Sequence, residues 1–251
     1  MKTAIVYSCF LTGKWYSLVS NQLTKIFSSK TVLNGGDVFI CASGTDEEYK
    51  KLIEIIGDNK AFVYHHPNIK HACEAYGFKK MHEISKEGYD YICFMHSKGV
   101  SRLKDPMPVI ITVNTWRTCM EYFVLERAED CISALQKSNK NCAGVMLDVF
   151  NWFHKDISFE KSVSHYLWAI FPGNFFWVKC SWFAEQKEPT IGEDRFEYER
   201  FLGTCVGTNP YYIWIKKYTE VGSHISYFEP IYEQEYKKEY KEEYKEEEKL
   251  I

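Results

Sequence analysis

Tyr91-Ile92-Cys93-Phe94-Met95 is apolar and β-prone without interruption. Such a run suits a buried strand at the centre of a sheet, because a strand with one face in water alternates apolar and polar residues. It gives way at once to His96-Ser97-Lys98-Gly99-Val100-Ser101, a small polar segment with an imidazole and an ammonium. In open α/β sheets ligands sit beyond the carboxyl ends of the strands. A cationic loop in this place is therefore a candidate seat for a diphosphate. The competing reading makes Lys98 an ordinary surface lysine and His96 a satisfied turn residue.

The elements around this run repeat one pattern. Residues 3–9 read as a strand, and 15–26 as a helix with apolar residues at Leu18, Val19, Leu23 and Ile26. Residues 37–41 and 61–64 read as two further strands, the first ending at Ala42-Ser43-Gly44. Thr45 with Glu48 three residues on is a capping-box pattern for a helix through residue 56. Residues 79–87 read as a short helix closed by Gly88. Strands alternating with helices predict an α/β fold, a mostly parallel central sheet flanked by helices.

The second half is less regular. Residues 102–114 hold Pro106 and Pro108 and show no clean period, which predicts a mobile loop. Thr115 is placed to cap a long helix over 116–136. Residues 142–147 and 174–178 read as strands, 151–165 as irregular, and 196–202 as a helix ended by Gly203. No linker divides the chain, so residues 1–230 are expected to form a single domain. Residues 231–251 differ: Tyr232, Tyr236, Tyr240 and Tyr244 recur every fourth residue among Glu and Lys. Each i, i+4 pair supports a helix by only a few tenths of a kcal/mol. The segment reads as a low-complexity tail, disordered or a single solvated helix. The alternative is a helix that lays its tyrosine stripe on the body.

From Glu233 onward the chain carries eight Glu and five Lys, which accounts for the whole formal charge of −3. The body is thus near neutral and lacks the basic balance expected of a nucleic-acid binder. Nine cysteines with no C-x-x-C pair indicate neither a zinc ribbon nor a thioredoxin-type site. Cys41, Cys93, Cys142 and Cys180 lie in apolar runs and read as small buried hydrophobes in a reducing compartment. No window approaches the roughly 20 apolar residues of a membrane span, and the first apolar run is too short for a signal peptide. A cytoplasmic location is expected; a composition suited to an AT-rich genome would make it the host cytoplasm if the source is viral.

Four places hold groups suited to chemistry. After the first strand, Ser8-Cys9-Phe10-Leu11 lacks G-x-G-x-x-G and any Walker lysine, which disfavours a dinucleotide fold; a mononucleotide base would still fit there and against Ser43-Gly44. His96-Ser97-Lys98-Gly99 offers a point charge for a phosphate and a glycine for close approach. Asn174-Phe175-Phe176-Trp177 offers a donor, acceptors and rings for a sugar face, although alternate residues of a strand point into the core. Glu193, Asp194 and Glu199 supply carboxylates able to deprotonate a hydroxyl, while Arg195 and Glu199 also have the spacing of a structural ion pair. There is no D-x-D, and the histidines have no metal-site spacing.

In order along residues 3–205 stand His96-x-Lys98-Gly99 at a strand end, Trp116-Arg117, Gly173-Asn174-Phe175-Phe176-Trp177, and Arg195-x-x-x-Glu199 before Gly203. Together these resemble the GT-A-type glycosyltransferases of bacterial polysaccharide gene clusters and large DNA viruses, including relatives of the rhamnan-synthesis enzymes. The resemblance implies a GT-A-like fold, a nucleotide-sugar donor (UDP-, GDP- or dTDP-linked) and a saccharide acceptor. It makes Glu199 the first candidate for general base and Asp194 the second. Ser8, Cys9, Ser43, His96, Lys98, Gly99 and Arg117 are then expected on the donor, and Asn174 and Trp177 on the acceptor. The missing D-x-D departs from the family, so His96 and Lys98 are expected to take over part of the diphosphate binding, with Mn or Mg left open as cofactor. The alternative function is a catalytically inactive nucleotide-sugar or glycan-binding protein.

Overall fold

The computed structural model describes residues 1–68, 74–146, 171, 173–190, 196–215, 233–238 and 240. Among the described residues seven strands form one sheet: β1 (Thr3–Phe10), β2 (Asp37–Ser43), β3 (Phe62–His66), β4 (Tyr91–His96), β5 (Cys142–Met146), β6 (Phe176–Lys179) and β7 (Pro210–Ile215). Their order is β3-β2-β1-β4-β6-β5-β7. The pairs β1–β2, β2–β3, β1–β4 and β5–β7 are parallel, while β6 runs antiparallel to both its neighbours. The sheet is mostly parallel and flanked by helices, as the alternation of elements predicts.

The uninterrupted apolar runs follow from burial of both faces. Along β1, Ile5, Tyr7 and Cys9 join one apolar cluster with α1 (Trp15–Phe27), α3 (Asp46–Ile56), α5 (Met107–Glu121) and α6 (Ala128–Lys137). Ala4 and Val6 join the other, against α4 (Ala75–Ile84), α7 (Cys180–Phe183) and α8 (Phe196–Thr204). The same split divides Cys93 and Met95 from Ile92 and Phe94 on β4. The capping box of α3 is present, Thr45 Oγ1 accepting from the Glu48 N–H and the Glu48 carboxylate from the Thr45 N–H. α2 (Lys30–Leu33) is a single turn. Seven of the eight described cysteines are buried, and none of the eight forms a disulfide.

Three local expectations are corrected. Residues 102–114 are a loop only as far as Pro106: α5 begins at Met107, with Pro106 as its N-cap. Proline is tolerated in a first helical turn, whose N–H groups lack intrahelical acceptors anyway. Thr115 consequently lies inside α5, where its hydroxyl donates to the Thr112 carbonyl. The long helix over 116–136 is interrupted by a π-helical segment, Tyr122–Glu126, closed by the Arg127 N–H bonding to the Tyr122 carbonyl. α4 starts at Ala75 rather than 79, its buried Ala75, Phe78, Met81 and Ile84 giving the helical spacing. Residues 151–165 lie outside the described residues. Among the described residues no helix is long and apolar enough to cross a membrane.

Where the sequence suggests a solvated tail, residues 233–238 are helical and two of the tyrosines are buried. Tyr236 and Tyr240 belong to the same apolar cluster as Phe123, Cys131 and Trp177. Tyr236 packs against Tyr122 and Phe123, and Tyr240 donates to Asp130 with the Arg127 guanidinium over its ring. The π-helical segment turns Tyr122 and Phe123 toward these rings, and burying an aromatic ring outweighs the hydration of the Glu/Lys frame around it. Truncating a well-packed aromatic side chain costs about 3 kcal/mol or more. Tyr236→Ala should therefore lower the urea midpoint with at most a small change in slope, whereas a solvated tail would leave the midpoint where it is.

Candidate functional site

Strands β2 and β3 lie to one side of β1 and β4 to the other. The chain therefore reverses its winding between β1 and β4, the position at which open α/β sheets form a ligand crevice beyond the strand carboxyl ends. Ser8 and His96 are directly paired across this point. The two strands stay stitched past the last ladder residue: the Ser97 N–H donates to the Ser8 carbonyl (3.0 Å), and Ser97 Oγ accepts from the Phe10 N–H (2.9 Å). The Leu11 N–H similarly donates to the Ser43 carbonyl.

The loop after β4 is tightly turned. The Lys98 N–H bonds to the His96 carbonyl (2.7 Å), and Gly99 adopts φ +92°. That left-handed backbone favours glycine. A Cβ there would also meet Val113 of α5 at 2.7 Å. α5 thus packs directly on the loop, and Arg117 reaches from it toward the Lys98 carbonyl (3.4 Å) while holding Asn114 Oδ1 at 2.9 Å. Lys98 is half-buried, and its aliphatic stem runs within 3.8 Å of where a Cβ on Gly173 would stand. No carboxylate lies within ion-pair distance of its ammonium among the described residues.

A buried polar cluster supports the loop from behind. Glu121 is 1% exposed. Its carboxylate takes Lys25 Nζ at 2.6 Å and Gln22 Nε2 at 2.8 Å. Arg117 Nε is 3.2 Å from the same group but out of line for a hydrogen bond, so that contact is electrostatic. Gln22 also donates to the His96 carbonyl and accepts from the Tyr7 hydroxyl. Burial, then the nearby Cys9 and Glu121, push the Tyr7 phenol well above its usual range, so it stays protonated and can donate.

On the other side of the crevice, His96 Nε2 lies 2.8 Å from the Gly173 carbonyl and Nδ1 lies 3.3 Å from Glu74 Oε1. Glu74 Oε2 accepts from Asn174 Nδ2 at 2.5 Å, and the same amide nitrogen donates to the Tyr198 carbonyl at 3.1 Å. Gly173 and Asn174 both have positive φ, +98° and +54°. Asparagine tolerates that region better than most residues.

The structure thus brings together Ser8, His96, Lys98, Gly99, Arg117 and Asn174 around one rim, in roles that differ from those the sequence suggests. Ser8 and Ser43 are buried, and each turns a backbone carbonyl to its neighbouring loop. Cys9 is fully buried, and desolvation drives its thiol far above the usual range. Arg117 is engaged with Glu121, Asn114 and the loop backbone. Trp177 pairs with Cys93 inside the sheet, is fully buried and donates to the Val124 carbonyl, so it has no face to offer an acceptor. Of Glu199 only the backbone within α8 is described; its side chain, like all of Asp194, lies outside the described residues. Among the described residues no group of three His, Cys, Asp or Glu could hold a metal.

Glu74, Gln22 and Tyr7 carry no motif and were invisible in the sequence. Glu121 had a signal, its i, i+4 spacing from Arg117.

No protein-family model and no curated protein matches the chain. Among solved structures it is similar to a cytidylyltransferase from Leptospira borgpetersenii (9% identity, TM-score 0.46, 92% of this chain and 82% of that one). It is also similar to TarS of S. aureus (10%, TM-score 0.43, 84% and 35%). A third is a putative nucleotide-diphospho-sugar transferase from Desulfovibrio desulfuricans G20 (13%, TM-score 0.38, 86% and 81%).

Removing one member of a buried ion cluster costs about 3–5 kcal/mol, because the others stay buried without compensation. Glu121→Ala should therefore destabilise the chain by about that amount in urea titration. Tyr7→Phe, which deletes one neutral hydrogen bond, should cost about 1 kcal/mol.

Proposed function

We propose that the chain is a glycosyltransferase that moves a sugar from a nucleoside-diphosphate sugar to a saccharide hydroxyl. The observation that carries this reading is Lys98: a half-buried residue with no carboxylate partner among the described residues, on the hydrogen-bonded loop after β4 where the sheet reverses its winding. A lysine with no anionic partner keeps its charge available to a ligand that supplies one. A diphosphate does so, and the same charge would stabilise the departing nucleoside diphosphate. The order His96, Lys98, Gly99, Asn174, Glu199 along the chain, shared with GT-A-type enzymes, also supports the reading.

In this mechanism Lys98 meets the diphosphate and Gly99 lets the loop turn beneath it. The backbone around Ser8, Cys9 and Ser43 forms the floor for the nucleoside. Arg117 holds the Lys98 carbonyl from behind, and Asn174 holds the turn facing the crevice. Trp177 supports the sheet below. Glu199 takes the proton of the acceptor hydroxyl as the sugar is displaced, with Asp194 as the second candidate.

A thermal-shift panel of UDP-, GDP- and dTDP-sugars, with Mn²⁺, with Mg²⁺ and with chelator, tests the reading. A ligand at about 100 times its Kd adds about 2.7 kcal/mol of stability. One nucleotide class should raise Tm, and the metal arms report whether a divalent ion contributes. Lys98→Ala should abolish the shift while leaving the ligand-free Tm within a degree or two, since the ammonium makes no ion pair among the described residues. Glu199→Gln should preserve the shift and slow sugar transfer by about 10²–10⁴-fold. Binding without transfer in the wild type would establish the inactive binding protein instead, and a flat panel would overturn both.

A further inference from the structure

Glu74 stands at the entrance of α4; its side chain is 13% exposed and its carboxylate is contacted through both oxygens. One faces His96 and the other Asn174. The hydrogen count around it is constrained. Asn174 Nδ2 donates twice, to Glu74 and to the Tyr198 carbonyl, which fixes the orientation of the amide. His96 Nε2 faces a carbonyl, which only accepts, so Nε2 carries a proton. Nδ1 faces a carboxylate oxygen 3.3 Å away, where an unprotonated nitrogen would set lone pair against anion.

We infer that His96 is held as an imidazolium by Glu74, and that the pair acts as a positioning latch between the two walls of the crevice. On one wall is the Lys98 loop. On the other, the Gly173 carbonyl and the Asn174 side chain fix the turn before β6, and Asn174 reaches the carbonyl of Tyr198, the residue before Glu199. The latch thereby sets where the backbone of Glu199 stands relative to Lys98. His96 so engaged is a positioning residue and not a ligand of the diphosphate. Among the described residues the groups around the ring include Glu74 from α4, the Gly173 carbonyl and the edge of Phe175 from the β6 side, Gln22 of α1 on the His96 carbonyl, and Lys98 with Arg117 beyond it. The anion that faces it among the described residues is Glu74, with Oε1 3.3 Å from Nδ1.

The latch should respond to pH in a way a purely structural contact would not. Below the titration of His96 the ion pair is intact. As pH rises through it, Nδ1 loses its proton, the contact with Glu74 becomes repulsive and the latch opens. Glu74→Gln removes this dependence: its oxygen accepts from Asn174 and its amide donates to a neutral Nδ1, so the same geometry is held without charge.

The part concerning turnover rests on the glycosyltransferase reading; the protonation state does not. In ¹⁵N spectra of the full chain at pH 6.5, both His96 nitrogens should be protonated in the wild type and only Nε2 in Glu74→Gln. A wild-type ring with one proton would overturn the inference whatever the activity. In transfer assays the wild type should lose kcat on the alkaline limb with donor KM little changed, and Glu74→Gln should lack that limb. Glu74→Ala should lose about 10²-fold in kcat at every pH, the scale set by a misplacement near 1 Å. Equal alkaline limbs in wild type and Glu74→Gln would overturn the latch. Absence of transfer in the wild type would count against the glycosyltransferase reading while the spectra still decide the protonation state.

Discussion

The parallel pairing of β1 with β4 decides where this molecule can do chemistry. Because the chain winds one way through β2 and β3 and then returns through α4 to add β4 on the far side of β1, the carboxyl ends of β1 and β4 lie side by side. The backbone beyond them must find partners, and Ser97 supplies these, its N–H to Ser8 and its hydroxyl to Phe10. Everything at the rim is arranged around that join. α5 presses on Gly99, Arg117 supports the Lys98 carbonyl, and the buried Glu121 keeps Arg117 and Lys25 in place.

The two polar clusters divide the work. Glu121, with Lys25, Arg117, Gln22 and Tyr7, ties α1 and α5 to the back of the loop. Glu74, with His96 and Asn174, ties α4, the turn before β6 and α8 to its front. Each centres on a carboxylate whose oxygens are matched by donors or cations, the condition under which burying a charge is tolerable. Lys98 stands between them and belongs to neither.

The parallel half of the fold was legible because its signals are local. Uninterrupted apolar runs mark strands covered on both faces, and the Thr45–Glu48 capping box marks the start of α3. What escaped depends on contacts distant in sequence. The prolines at 106 and 108 look like loop residues until a helix begins around them. The tyrosines at 236 and 240 look solvated until the π-helical segment offers Tyr122 and Phe123 as a surface. In the site, the loop at 96–99 was found from its place after a buried strand. The partners that define its behaviour, Gln22 and Glu74, are 74 and 22 residues from His96 in sequence and carry no pattern. Trp177 was misplaced for a related reason: on a strand covered on both faces, an aromatic residue has no outward side.

The left-handed turn at Gly99, wedged against Val113, has a thermodynamic consequence. A phosphate-binding loop that must first be ordered spends part of each contact's free energy on lost chain entropy. Here that entropy is surrendered once, during folding, to α5 and the strands. An anion arriving at the crevice would meet a cation already in position, so discrimination among ligands would rest on their shape and charge rather than on their power to organise the protein.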